Sequence, residues 1–311
     1  AIAFGGEGPS NAMRTATEEW TGAGAPIGAW STGGAMNTAR NNAAGFGTQV
    51  AGITAGGGTP SATANVESYN GTNWTEVNNL NTGRFQDTGA GTATAGLVFG
   101  GGPGSGESAD TETWNGTNWT EVNNLTTARR SAGGGGTQTS SIIFGGNPES
   151  GKTEIWNGTN WTEVGDLNTA RQSLAGAAAV NTAALAFGGY NTPADANQVA
   201  TELWNGSSWT EVNNLNSARE ALGGLGTSTS SLAFAGSRGP AGPTAFTEEW
   251  DGVSWSEVAD LSQARSQMPQ GSGTTTAGLG FGGQTPASPG FLTLTEEWNS
   301  TSTVTKSVDT D

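Results

Sequence analysis

The sequence predicts an all-β protein: a seven-bladed β-propeller of four-stranded antiparallel blades, formed by residues 1–311 as a single domain. Three observations carry this reading. A short aromatic-Gly-Gly motif returns along the whole chain at near-constant spacing. A Trp-containing hairpin motif returns between its copies. No segment shows a sustained 3.6-residue apolar period, so no helix is expected.

The first marker stands at Phe4, Phe99, Phe144, Phe187, Phe234 (followed by Ala235-Gly236) and Phe281, with Ala55 before Gly56-Gly57 as a degenerate copy, spaced by 43 to 51 residues. The second, Thr-Glu-x-Trp and its relatives, ends on Trp20, Tyr69, Trp114, Trp156, Trp204, Trp250 and Trp298. Both occur seven times. A further Trp follows five residues later at Trp74, Trp119, Trp161, Trp209 and Trp255, and after an insertion at Trp30. Each unit then closes on an Arg, at Arg40, Arg84, Arg129, Arg171, Arg219 and Arg265, which makes six. The blades implied are 1–39, 40–83, 84–128, 129–170, 171–218, 219–264 and 265–311.

Within a unit, "RQSLAGAAAVNTAALAFGG" from Arg171 reads as two short strands about a polar turn, and "VATELWNGSSWTEVNNL" from Val199 as two more. In "WNGTNWTEV" from Trp114, a turn centred on Gly116-Thr117 sets the two Trp opposite each other, whereas an Asn-Gly type I′ turn gives a competing register. The chain starts inside a predicted strand without an initiator Met, which suggests a processed product or an excerpt. The tail segment Thr303–Val308 has the composition of a strand. It is expected to complete the seventh blade, or else to supply the inner strand missing from the first and so close the ring.

The order of aromatic-Gly-Gly, a strand ending in an aromatic, a second Trp and a loop to the next blade resembles the kelch repeat over nearly the whole chain. There are two departures. The link between the aromatics is shorter than in typical kelch blades, and the copies are more alike than in most cellular kelch proteins. The near-identical "NGTNWTEV" arrays are similar to kelch-like segments in virion proteins of marine tailed phages. That resemblance implies a tail-fibre or capsid-surface protein, on a virion or otherwise extracellular.

The repeated residues read as architecture. Paired Trp could form a sugar-stacking platform, but aromatics at fixed strand positions more often pack blade on blade. Glu18, Glu67, Glu112, Glu154, Glu202, Glu248 and Glu296 all precede the first aromatic by two residues, and Glu76, Glu121, Glu163, Glu211 and Glu257 follow the second Trp by two. A catalytic pair of carboxylates would break that symmetry. With the repeated Arg, these acids predict a ring of Arg-carboxylate or Arg-backbone bonds joining neighbouring blades. Small-residue runs such as "SAGGGG" from Ser131 suit inner strands crowded around an axis.

Composition narrows the function. The chain has no Cys and no His, which removes thiolate nucleophiles, imidazole bases and the usual zinc, copper and haem ligands. With 11 basic against 27 acidic residues, net charge −16, nucleic acid is not an expected partner. No apolar run approaches the length of about 18 residues that a membrane helix needs, so membrane insertion is not expected. No cofactor or metal is expected, and no enzymatic activity.

Only the links between the second and third strands vary from unit to unit. Loops on a rigid scaffold commonly carry recognition, and the non-repeated Arg14, Lys152, Tyr190, Arg238, Phe246 and Phe291 stand in these links as candidate binding residues. The expected function is a non-enzymatic structural or adhesive module of a virus particle that binds other virion proteins, a host-surface protein or a host-surface glycan through the variable loop face. The alternative is a carbohydrate-binding propeller lectin.

Overall fold

A computed structural model of the chain describes residues 2–7, 13–19, 28–104, 106–287 and 290–300, with backbone only for 2–7 and 13–19. It is a β-propeller of antiparallel four-stranded sheets. Among the described residues there are six such sheets: 44–77, 88–121, 133–164, 175–211, 223–257, and a sixth made of 272–300 plus the N-terminal strand Gly28–Thr32. The inner strands of successive blades pack side by side around the axis, and that of blade six packs against that of blade one. Among the described residues the ring is therefore closed by six blades, where seven were expected.

The difference has a specific cause. Gly28–Thr32 pairs with Thr295–Ser300, setting Trp30 opposite Trp298, so Trp30 is the second Trp of the last blade and not of the first unit. Phe4 and Glu18 of that unit belong to a hairpin of Ile2–Glu7 and Met13–Glu19, whose strands pair only with each other among the described residues. Its register, with Phe4 opposite Thr17 and Ala3 opposite Glu18, is that of the two middle strands of a blade, as in Phe99 opposite Thr111 and Val98 opposite Glu112. Both fates expected for Thr303–Val308 lie outside the described residues. The inner strand of blade six, Ser272–Gly273, comes from that blade's own segment.

Burial grades outward along each blade. Inner strands such as Gly133–Thr137 are small-residue runs because their backbones nearly touch: a Cβ on Gly176 would lie 2.8 Å from the Gly134 nitrogen. Second strands such as Ala95–Phe99 are buried on both faces, and outer strands such as Trp119–Glu121 bury only the Trp. At the hairpin tip the left-handed residue is Gly116, with φ 91°, and Asn115 is not left-handed, so the type I′ alternative fails. The Asn115 side-chain oxygen accepts bonds from the Thr117 and Asn118 N–H groups, and Trp114 faces Trp119 as Gly116-Thr117 centring requires.

Two sets of contacts join the blades. The outer-strand Trp of each blade leans on the preceding blade's Phe, as in Trp161 on Phe99 at 4.8 Å and Trp209 on Phe144 at 4.9 Å between ring centres. Its indole N–H donates to the Thr that opens the preceding blade's third strand: Trp161 to Thr111, Trp209 to Thr153, Trp255 to Thr201, Trp30 to Thr247, Trp74 to Thr295. Blade one departs twice. It has Ala55 where others have Phe, and Phe46 from its inner strand meets Trp119 instead. It has Val66 where others have Thr, and the Trp119 N–H turns to the Asn78 carbonyl.

The second set is a ring of Arg–Glu pairs, expected to join neighbouring blades and found to fix each interblade link to the blade that it enters. Six buried pairs, Arg40–Glu67, Arg84–Glu112, Arg129–Glu154, Arg171–Glu202, Arg219–Glu248 and Arg265–Glu296, tie the link entering each blade to that blade's third strand. The guanidinium also donates to carbonyls, Arg129 to Lys152 O at 2.7 Å and Arg219 to Phe246 O at 2.7 Å. The carboxylate's remaining lone pairs take N–H groups of the link, as Glu154 does from Thr126 and Thr127. Burial pulls Arg265 down to about 10, against the pull of Glu296.

A buried pair of this kind costs most when halved. Glu154→Gln is expected to destabilise by about 3–5 kcal/mol, and Arg129→Met with Glu154→Leu by less than the two single changes summed. Guanidinium unfolding midpoints measure both. Trp30→Ala should cost about as much as Trp161→Ala, roughly 3–5 kcal/mol. A far smaller loss at Trp30 would mean that Gly28–Thr32 does not close the ring.

Candidate functional site

The repeated Arg, their paired Glu and the Trp are committed to the ring, and the departures from the repeat that line a cavity lie on the face that carries the second-to-third links and the entry links. Its centre is a funnel of about 260 Å³ around the axis. The mouth is built from the second residue after each repeated Arg: Asn42, Gln86, Ser131, Ser173, Ala221 and Gln267. All six are non-glycine residues in the left-handed region, with φ between 48° and 58°. Such a conformation is costly for a residue with a Cβ.

Backbone hydrogen bonds hold it in place. Gln86 N–H donates to Asn42 O, Ser131 to Gln86 O, Ser173 to Ser131 O, Ala221 to Ser173 O and Asn42 to Gln267 O, while Met268 N–H donates to Ala221 O. The mouth is thus encircled by an unbroken hydrogen-bonded belt.

The floor is Gln270. The positive-φ glycine of the inner strand stands five positions after the left-handed residue in blades one, two, three and five (Asn42 to Gly47, for example), but six positions after it in blade six, from Gln267 to Gly273. The extra residue falls at Pro269-Gln270. The Gln270 side chain crosses the axis, accepting from Gly89 N–H and donating to Gly134 O, both at 3.2 Å. It separates the funnel from a smaller cavity of about 80 Å³ among the inner-strand glycines.

Beneath the belt, Ala43, Ala132, Leu174, Leu222 and Met268 form an apolar lining that Asp87 interrupts. Asp87 is 7% exposed, and both carboxyl oxygens are buried toward Gly56 without a well-formed hydrogen bond. Burial pushes this carboxyl up to about 8, only partly opposed by Arg84 and Arg40. Glu220, half-buried in the same wall, is also raised by burial.

Around the funnel, the structure joins some of the candidate residues and separates others. Tyr190 opens a small hairpin, Tyr190–Asn191 with Ala196–Asn197, and its hydroxyl bonds Asp195. That hydrogen bond, with nearby acidic groups, holds the phenol above its ordinary value. The Arg238 guanidinium lies 5.4 Å from the centre of the Phe246 ring. Asn197 Nδ2 donates to Ser237 O and Thr192 N–H to Glu149, so the links of blades three, four and five form one continuous rim.

Lys152 is less available than expected, because it pairs with Glu163 at 3.0 Å while its carbonyl accepts from Arg129. Phe291 sits on blade six, bridged to Gln284. Arg14 was expected in a variable link but lies on the strand Met13–Glu19, outside the ring. The Trp pairs are buried, Trp114 and Trp119 at 2% and 7%, so they offer no open face to a sugar.

Sequence reasoning missed Asp87, Glu220 and Gln270. Each is a departure from the repeat at an otherwise small, apolar or variable position, and aligning the units on Arg would have exposed the first. No protein-family model matches the chain, and no curated protein matches it.

Asp87 makes stability depend on pH. An Asp in the unfolded chain titrates near 3.9. Between about 4 and about 8 the folded state keeps a proton that the unfolded chain has released, so stability falls as pH rises through that window and levels off above it. Asp87→Leu, which matches Leu174 and Leu222 at the same repeat position, should remove the slope and raise the urea midpoint most at about pH 8.

Proposed function

We propose that the chain is a kelch-like propeller acting as a non-enzymatic structural or adhesive module of a virus particle, in a tail fibre or on the capsid surface. It binds a partner protein or a host-surface glycan through the rim formed by blades three to five. The observation that supports this reading is the division of labour among side chains. The repeated Arg, the third-strand Glu paired with each and the repeated Trp of the described blades are tied into contacts within or between blades, while the rim holds Tyr190, Arg238 and Phe246 outside the repeat. The virion setting rests on the likeness of the "NGTNWTEV" arrays to phage segments.

A carbohydrate-binding lectin is the second reading, favoured by the half-buried rings of Tyr190 and Phe246 beside polar loop groups. Glycan-array binding by the purified protein addresses both. Tyr190→Ala and Arg238→Ala should each weaken any glycan signal about tenfold, or about 1.4 kcal/mol, and Thr117→Ala, on the hairpin face, should leave it unchanged. Binding that follows Thr117 and ignores Tyr190 and Arg238 overturns the choice of face. A protein partner without glycan binding favours the structural role.

A further inference from the structure

The chain carries one hairpin more than the ring seats. Blade six takes its middle strands, Ala277–Phe281 and Thr295–Ser300, from the C-terminal part of the sequence, and the hairpin of Ile2–Glu7 and Met13–Glu19 keeps two free edges among the described residues. An isolated two-stranded hairpin is at best marginally stable in water.

The two hairpins are twins. Thr17-Glu18-Glu19-Trp20 and Thr295-Glu296-Glu297-Trp298 are identical in sequence, and Phe4-Gly5-Gly6 repeats Phe281-Gly282-Gly283. Their registers coincide as well: Ile2, Ala3 and Phe4 stand opposite Glu19, Glu18 and Thr17, as Leu279, Gly280 and Phe281 stand opposite Glu297, Glu296 and Thr295. The link between the strands has ten residues, 7–16, against eleven, 284–294, in blade six and ten, 237–246, in blade five.

The contacts that blade six asks of its middle strands are therefore encoded twice. Arg265 pairs with Glu296 at 2.9 Å, the Trp74 N–H donates to Thr295 at 2.9 Å, and the Trp74 ring leans on Phe281 at 5.1 Å. Glu18, Thr17 and Phe4 hold the same repeat positions. Ala3 stands for Gly280, as Ala186 and Ala233 do in blades four and five. A Cβ at Gly280 lies 3.1 Å from the Phe234 ring, so the C-terminal twin fits with less adjustment. Eight residues, 20–27, separate Glu19 from the outer strand Gly28–Thr32, more than a turn between neighbouring strands needs.

We propose that blade six has two interchangeable fillings: the N-terminal hairpin replaces its C-terminal twin between Ser272–Gly273 and Gly28–Thr32 of the same chain, so that the ring closes on either one and releases the other. The exchange takes the link with Gln284 and Phe291 off the ring and puts residues 7–16 in its place. The inference is independent of the rim reading, because it uses none of the residues of blades three to five.

Urea unfolding of the full chain as wild type, Glu18→Gln, Glu296→Gln and the double variant is the test. Glu296→Gln halves the Arg265 pair in one filling only, so it is expected to lower the midpoint much less than Glu154→Gln, whose blade has no twin. Glu18→Gln is expected to be silent alone and to lower the midpoint further when added to Glu296→Gln, a non-additivity that residues on two separate hairpins show when they compete for one seat. In hydrogen exchange, Glu296→Gln should raise protection over 2–7 and 13–19 and reduce it over 295–300, each by about tenfold. The proposal is overturned if Glu296→Gln lowers the midpoint as far as Glu154→Gln or fails to fold, if Glu18→Gln has the same effect in both backgrounds, if protection of the two hairpins does not move in opposite directions, or if the rescue by the N-terminal hairpin grows with protein concentration, which would place the exchange between chains.

Discussion

Everything in this ring depends on the buried Arg–Glu pair. A propeller must hand its chain from the outer edge of one blade to the axis of the next, and that crossing has no sheet partner to fix it. Here the crossing is held by a guanidinium that reaches from the link to a carboxylate on the third strand and to carbonyls of the second-to-third link. Two charges removed from water are tolerable because their other hydrogen-bonding positions are largely filled by link N–H groups and carbonyls. The pair therefore sets where each inner strand begins, and hence how closely the glycine-rich strands approach the axis.

With the crossings fixed, the blades can differ elsewhere. Blade one loses both its Phe and its Thr yet keeps its neighbour, because Phe46 and the Asn78 carbonyl occupy the vacated roles. Blade six gains a residue, and Gln270 fills the axis. Blade two accepts Asp87 where its neighbours have apolar side chains. Of these departures, Asp87 and Gln270 line the funnel, so a scaffold of near-identical units presents an asymmetric cavity there.

Much of this was legible in the sequence because it rests on short-range pattern. Strand alternation, the Gly116 hairpin, the facing Trp residues and the Arg–Glu ring follow from residue type and spacing. The blade number was not. Seven aromatic markers were counted against six Arg and six second Trp residues, and the smaller count was the structural one, since only Trp30 could show which blade it joined and that is a pairing across 268 residues. The funnel was also hidden. The left-handed conformation at Asn42, Gln86 and Ser131 is imposed by the neighbouring blade's carbonyl and not by any local preference for glycine, so no turn signal announces it. Asp87 and Glu220 read as ordinary acids until burial distinguished them. Among the candidate residues, Tyr190, Arg238 and Phe246 share one rim, while Lys152 was already paired and Arg14 lay on a strand.

The pairing that closes the ring also decides how the molecule meets a pull. Gly28 lies directly opposite Ser300, so the chain enters and leaves the propeller at the same end of two adjacent strands. Tension applied through the two ends would pass through this one ladder and bypass the other five blades. It would also peel the rungs apart one after another, starting at Gly28 and Ser300, where a load along opposed ends would shear all of them together. Blade six is thus the mechanical fuse of the ring.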